Sequence, residues 1–105
     1  MNLVNFKLIT IICEPVLSVS ILEMSEKFGS TGFTITEVKG EGDGEKNSGE
    51  IPDLKLKIEI IVDPKVALNF MESVALAYFK NYSLITYASD ISVLRPEKFE
   101  SLNNL

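Results

Sequence analysis

Two periods of apolar residues divide the chain. Between Leu54 and Val62, the residues Leu54, Leu56, Ile58, Ile60 and Val62 share one side of an extended backbone. Lys55, Lys57, Glu59 and Ile61 take the other, the period of two of a strand with one buried face. Phe33 to Lys39 divides the same way, with Thr34, Thr36 and Val38 against Phe33, Ile35, Glu37 and Lys39. Phe6 to Cys13 (FKLITIIC) is β-branched and apolar on both sides, which suits a central strand. A last strand is predicted over Leu84 to Leu94. Between these segments the spacing becomes helical, first at Val16, Leu17, Ile21, Met24 and Phe28, then at Val66, Phe70, Met71, Val74, Ala77 and Tyr78. Glu14-Pro15 opens the first helix and Gly29 stops it. Asp63 caps the second, Pro64 takes its first position, and Asn81 is its candidate stop.

The order is β-α-β, a loop, then β-α-β. Two such units make an α+β fold, a ferredoxin-like βαββαβ sandwich: a four-stranded antiparallel sheet with two helices on one face. The other face is then left uncovered. Ile9, Ile11, Ile61, Ile85, Tyr87 and Val93 are expected there, and an apolar row of that size predicts self-association.

Composition narrows the function. The 105 residues are 46% hydrophobic and 24% charged, the profile of one globular domain, assigned to residues 1–99 with a polar tail at 100–105. A net charge of −5 argues against nucleic acid as a partner. The single cysteine, Cys13, permits no disulfide within the chain and fits a reducing, cytoplasmic setting. Glu14 and Pro15 break the apolar run from Leu8 to Met24, so no membrane insertion is expected, and without a basic n-region or a small-residue cleavage site neither is a signal peptide.

No enzyme is expected. Histidine is absent, and Glu14, Glu23, Glu37 and Glu59 stand apart from any recognised nucleophile and base pairing. Cys13 reads as a small buried thiol. Asp43, Glu45 and Glu50 match no calcium or zinc spacing, so no metal is predicted. Residues 40–46 lack the spacing of a P-loop.

What remains is Gly29 to Asp53, a turn and strand running into a polar loop with Gly40, Gly42, Gly44 and Gly49. Long loops inside small domains usually carry function. The run GSTGFTITEVKGEG resembles the PII signal-transduction family, where a helix ends in G-x-x-G and a strand reads T-[VI]-[ST]-E-V-K-G-x-G before a long "T-loop". IPDLKLKIEIIV, Ile51 to Val62, is similar to the family strand after that loop, ending K-[IV]-E-[IV]-V-V. With weaker similarity in the first strand and both helices, the resemblance covers Phe6 to Phe99.

The resemblance implies a homotrimer with its sheets facing inward and an adenine nucleotide between neighbouring subunits. Gly32, Phe33 and Thr34 would meet the ribose and base, and Glu59 with Ile61 would line the adenine pocket. Gly40 and Gly42 would present backbone groups to the phosphates, and Arg95 is the one arginine available to them. The T-loop, residues 40–53, would dock a partner through Glu41, Asp43, Lys46, Ser48, Gly49 and Glu50.

Departures from the family refine this reading. Asp43 and Gly44 occupy the places of an arginine and a glutamine, and no tyrosine lies between Gly29 and Asp63 to be uridylylated. Only Lys80-Asn81-Tyr82-Ser83 stands where nitrogen-sensing members carry a phosphate-gripping loop. The short loop, the SGE at Ser48 to Glu50 and YFKNYSLITY at Tyr78 to Tyr87 resemble the branch tied to bicarbonate transporters and carboxysomes, the SbtB type. That branch implies a membrane transporter, contacted through the T-loop, as partner. The nucleotide is AMP, cyclic AMP, ADP or ATP; with few basic groups for phosphates, AMP or cyclic AMP is expected to bind at least as tightly as ATP when no divalent metal is present. The alternative is a ferredoxin-like structural or assembly trimer without ligand.

Overall fold

β-Branched residues fill the central strand β1 (Val4–Cys13), which lies between β3 (Leu54–Val62) and β4 (Ile85–Val93) in a sheet ordered β2-β3-β1-β4. In the computed structural model, which describes residues 1–40 and 53–100, β2 (Thr34–Lys39) forms the other edge. Every neighbouring pair is antiparallel. Helices α1 (Ser18–Lys27) and α2 (Pro64–Tyr78) follow β1 and β3, completing the βαββαβ arrangement.

The register decides which face is core. Ile9 pairs with Ile60 and Ile11 with Ile58, and all four are fully buried. They pack with Ile21 of α1 and with Phe70 and Val74 of α2, while the Phe28 and Phe70 rings meet at 5.7 Å. Ile9 and Ile11 therefore belong to the helix-covered face, against the expectation that they lie on the uncovered one. Because β1 is apolar on both sides, its own sequence carries no phase, and the partners set it. Their places on the open face are taken by Leu8, Thr10 and Ile12, paired with Ile61, Glu59 and Lys57. Ile61, Ile85, Tyr87 and Val93 do stand on that face, with Ile85 54% and Tyr87 44% exposed.

Local chemistry explains the element ends. Pro15 starts a 3₁₀ turn, Pro15–Leu17, rather than a full helical turn. At three residues per turn, Leu17 faces the core and Val16 is left exposed, contrary to its place in the expected apolar stripe. Ala77 is likewise exposed, near the end of α2. Asp63 caps α2, its carboxylate accepting from the Lys65 N–H at 2.9 Å. That helix ends at Tyr78, three residues before Asn81, and the Asn81 and Tyr82 N–H groups close a turn onto the Tyr78 carbonyl.

Gly29 ends α1 with φ 89°, a conformation that costs a residue with a Cβ about 1 kcal/mol. Its N–H bonds the Glu26 carbonyl and the Ser30 N–H the Ser25 carbonyl, the paired bonds of a Schellman end. Two hydroxyl bonds reinforce the turn, Ser30 Oγ to Ser25 Oγ at 2.9 Å and Ser25 Oγ to the Leu22 carbonyl at 2.7 Å. The entry into β2 is fixed accordingly. Among the described residues no helix is long and apolar enough to cross a membrane.

Candidate functional site

The open sheet face holds a cavity of about 490 Å³ where β2 begins. Its floor comes from three adjacent strands: Thr34 of β2, Glu59 and Ile61 of β3, and Leu8 of β1, with Ile91 from β4. The Schellman turn delivers Thr31, Gly32 and Phe33 to one side. Lys98 and Phe99, beyond β4, supply another.

Five of the residues assigned to nucleotide contact thus meet in one cavity: Gly32, Phe33, Thr34, Glu59 and Ile61. The cross-strand pairs Thr34–Glu59 and Leu8–Ile61 explain how segments so distant in sequence come together. A methyl group built on Gly32 would meet no atom within 4 Å, so the chain's own packing does not demand glycine there.

Two assigned residues lie elsewhere. Gly40 follows the far end of β2, with nothing within 4 Å of an added Cβ. Arg95 is not among the lining residues; its Nε stands 3.7 Å from Glu97 Oε1, both side chains exposed. Gly42, together with Glu41, Asp43, Lys46, Ser48, Gly49 and Glu50 of the partner-binding loop, lies outside the described residues.

Leu8, Thr31, Ile91, Lys98 and Phe99 line the cavity without having been singled out. Leu8 and Ile91 carried a usable signal, since antiparallel partners share a face: Leu8 pairs with Ile61, and Ile91 with Phe6. Lys98 and Phe99 carried none. They follow Pro96 in a stretch without apolar period.

Chemically the cavity is an apolar slot with few polar groups. Leu8, Ile61, Ile91 and the two phenylalanines offer surfaces suited to a planar ring. Glu59 and the Thr34 hydroxyl can accept hydrogen bonds from amine or hydroxyl donors. Among the described residues Lys98 is the one cation in the lining. No thiol lies in it: Cys13 is buried on the opposite, helix-covered face. Burial pushes the Cys13 thiol above its ordinary range, opposed by nearby Lys55 and reinforced by Glu14. Among the described residues no three potential metal ligands gather.

Comparison with known proteins was informative at the level of family and of structure. Residues 6–98 match the family model described as nitrogen regulatory protein P-II. No curated protein matches the chain. A solved structure described as a PII-like signalling protein, from Thermus thermophilus, is 34% identical with a TM-score of 0.79, covering 94% of this chain and 99% of that one. CPII from Thiomonas intermedia, bound to ADP and bicarbonate, is 25% identical with a TM-score of 0.81, covering 93% and 97%. The same protein bound to ADP, AMP and acetate has a TM-score of 0.82 at 24% identity, a likeness of fold, over 96% and 100%.

Proposed function

The chain belongs to the nitrogen regulatory protein P-II family, and from that membership we propose that it is a non-enzymatic regulator binding an adenine nucleotide in the cavity beside β2. The observation that carries this reading is the convergence of Gly32, Phe33, Thr34, Glu59 and Ile61 on one cavity. The apolar walls would hold the base. Glu59 and Thr34 would accept from the exocyclic amine or ribose hydroxyls, and Lys98 would face the anionic end. CPII, bound to ADP and bicarbonate in a solved structure of the same fold, supports this class of ligand.

In this reading the protein is a homotrimer in the cytoplasm, its subunits meeting through the open sheet face that leaves Ile85 and Tyr87 exposed. The cavity then lies at the edge of a subunit boundary, and a neighbour completes it. Residues 40–53 act as the T-loop, and their docking changes with ligand. The partner is a membrane transporter, with bicarbonate uptake favoured by the loop and Tyr78 to Tyr87 resemblance and by the bicarbonate bound to CPII.

Titration calorimetry with AMP, ADP, ATP and cyclic AMP tests the nucleotide. Heat from at least one, with the affinity weakened roughly tenfold in Glu59→Ala, is the expected result. Silence from all four, with the trimer intact, would transfer the reading to a structural trimer without ligand.

A further inference from the structure

The outer side of α2, turned away from the sheet, carries a second apolar surface. Leu76 is 89% exposed and Phe79 50% exposed, while Phe70 and Val74 of the same helix are fully buried. The start of α1 reaches the same end of the helical layer. Pro15 closely follows the end of β1, and β4, which follows α2, begins at Ile85, paired with Ile12 near that strand end. Val16 and Val19, both exposed, extend the apolar surface there. All of this lies across the domain from the open sheet face, so subunits meeting through that face leave it uncovered.

Charge is arranged around Leu76 with a direction. Glu72 stands one helical turn before it and Lys80 one turn after, each about 6 Å away along the axis. The Phe79 N–H bonds the Ala75 carbonyl at 3.0 Å and the Tyr82 N–H the Tyr78 carbonyl at 2.9 Å, so the backbone stays helical past Tyr78 and Lys80 keeps its place. Both residues are exposed, and among the described residues neither enters an ion pair. An acid before and a base after an apolar centre is complementary to itself run backwards. In an antiparallel pair centred on Leu76, Glu72 of each copy meets Lys80 of the other, and the two leucines meet between them. A parallel pair would set like charge against like.

We propose that this surface is a contact between copies of this chain, isologous and antiparallel, with Leu76 on the twofold axis and Phe79 beside it. Solvent-exposed ion pairs add little by themselves, and a single helix crossing falls short of the roughly 800 Å² per partner of a standard interface. The contact is therefore weak between single subunits and gains strength where subunits already joined present it together. It is independent of nucleotide binding.

Disulfide trapping reads the register directly. Under mild oxidation Leu76→Cys is expected to form covalent dimers roughly tenfold faster than Leu68→Cys, which is also exposed on α2 but lies two turns from the axis. Cys13 is buried, and the unmodified protein provides the blank. Equal rates for the two variants would overturn the contact. Adding Glu72→Lys or Lys80→Glu to Leu76→Cys is expected to slow trapping about threefold, because like charges then face each other. Mixing those two proteins recreates both opposite-charge pairs and is expected to restore the rate. Rates indifferent to the reversals, or a mixture no faster than either protein alone, would overturn the proposed pairing. Every substituted position is exposed, so the fold is not at stake. Subunits joined through the open sheet face hold their Leu76 side chains on the far side, so the outcome reads the same whether or not the trimer and nucleotide readings stand.

Discussion

Thr34 of β2 and Glu59 of β3 stand directly opposite each other on the open face, and β1 places Thr10 against Glu59 from the other side. Glu59 also lines the cavity, where in the proposed reading its carboxylate accepts from the nucleoside. Replacing Glu59 with alanine is therefore expected to weaken adenosine and AMP by the same factor, roughly tenfold, since the lost contact is to the nucleoside. Calorimetry with both ligands checks it. A loss confined to AMP would place Glu59 near the phosphate instead.

Gly32 offers a cleaner separation of fold from ligand. A methyl there meets nothing within 4 Å, and the backbone needs no special conformation. Gly32→Ala should shift stability by less than about 0.5 kcal/mol, as surface changes usually do. In the proposed reading nucleotide affinity should nonetheless fall, because the ligand or a neighbouring subunit would approach through that space. Thermal unfolding and calorimetry on the same sample decide the point. Matching affinities would show that nothing comes close to Gly32.

The sequence carried the fold wherever a period had one phase. β3 alternates cleanly, and its bounds, Leu54–Val62, coincide with those read from the pattern. β1 did not, since Phe6 to Cys13 is apolar on both sides, and only pairing with Ile58 and Ile60 sends Ile9 and Ile11 inward. The same limit shaped the site. Gly32, Phe33, Thr34, Glu59 and Ile61, in or beside the patterned strands β2 and β3, were legible, whereas Lys98 and Phe99 reach the cavity through a tertiary contact with Phe6 and a hydroxyl bond from Thr31. No local pattern encodes a contact across so much of the chain.

Cys13 gives a pH prediction. Burial is the largest cause of its raised pKa, with Lys55 partly opposing and Glu14 adding. The folded state then holds the proton to higher pH than the unfolded chain does. The stability this contributes is complete below the ordinary thiol value of 9.0 and is lost as pH rises through the folded value. Denaturant midpoints should fall more steeply above about pH 9 in the unmodified protein than in Cys13→Ala. Parallel curves would show that other groups govern alkaline unfolding.

The exposed apolar row predicts the assembly. Ile85 and Tyr87, 54% and 44% exposed, lie on the sheet face that no helix covers. A carboxylate placed there would be driven out of an apolar contact at a cost of several kcal/mol, while an isolated subunit would tolerate it. Tyr87→Asp should therefore yield folded monomers where the unmodified protein is expected to form trimers. Light scattering with circular dichroism measures both. A stable trimer in the variant would move the interface to another surface.

The remaining prediction concerns how many phosphates the site accepts. Among the described residues Lys98 is the single cation lining the cavity, and Arg95, outside it, stands beside Glu97. One lysine can answer one phosphate. Each further phosphate brings negative charge toward a chain whose net charge is already −5. Without divalent metal, AMP is therefore expected to bind at least as tightly as ATP. Lys98→Ala should weaken AMP about fivefold, a modest loss because the ammonium is solvent-exposed, and should leave adenosine unchanged. Raising the salt concentration should mimic the substitution for AMP and not for adenosine. Calorimetry on the two proteins with adenosine, AMP and ATP measures all three effects. ATP binding far more tightly than AMP, with Lys98→Ala indifferent, would mean that another basic group reaches the phosphates, and Arg95→Ala would be the next variant to measure.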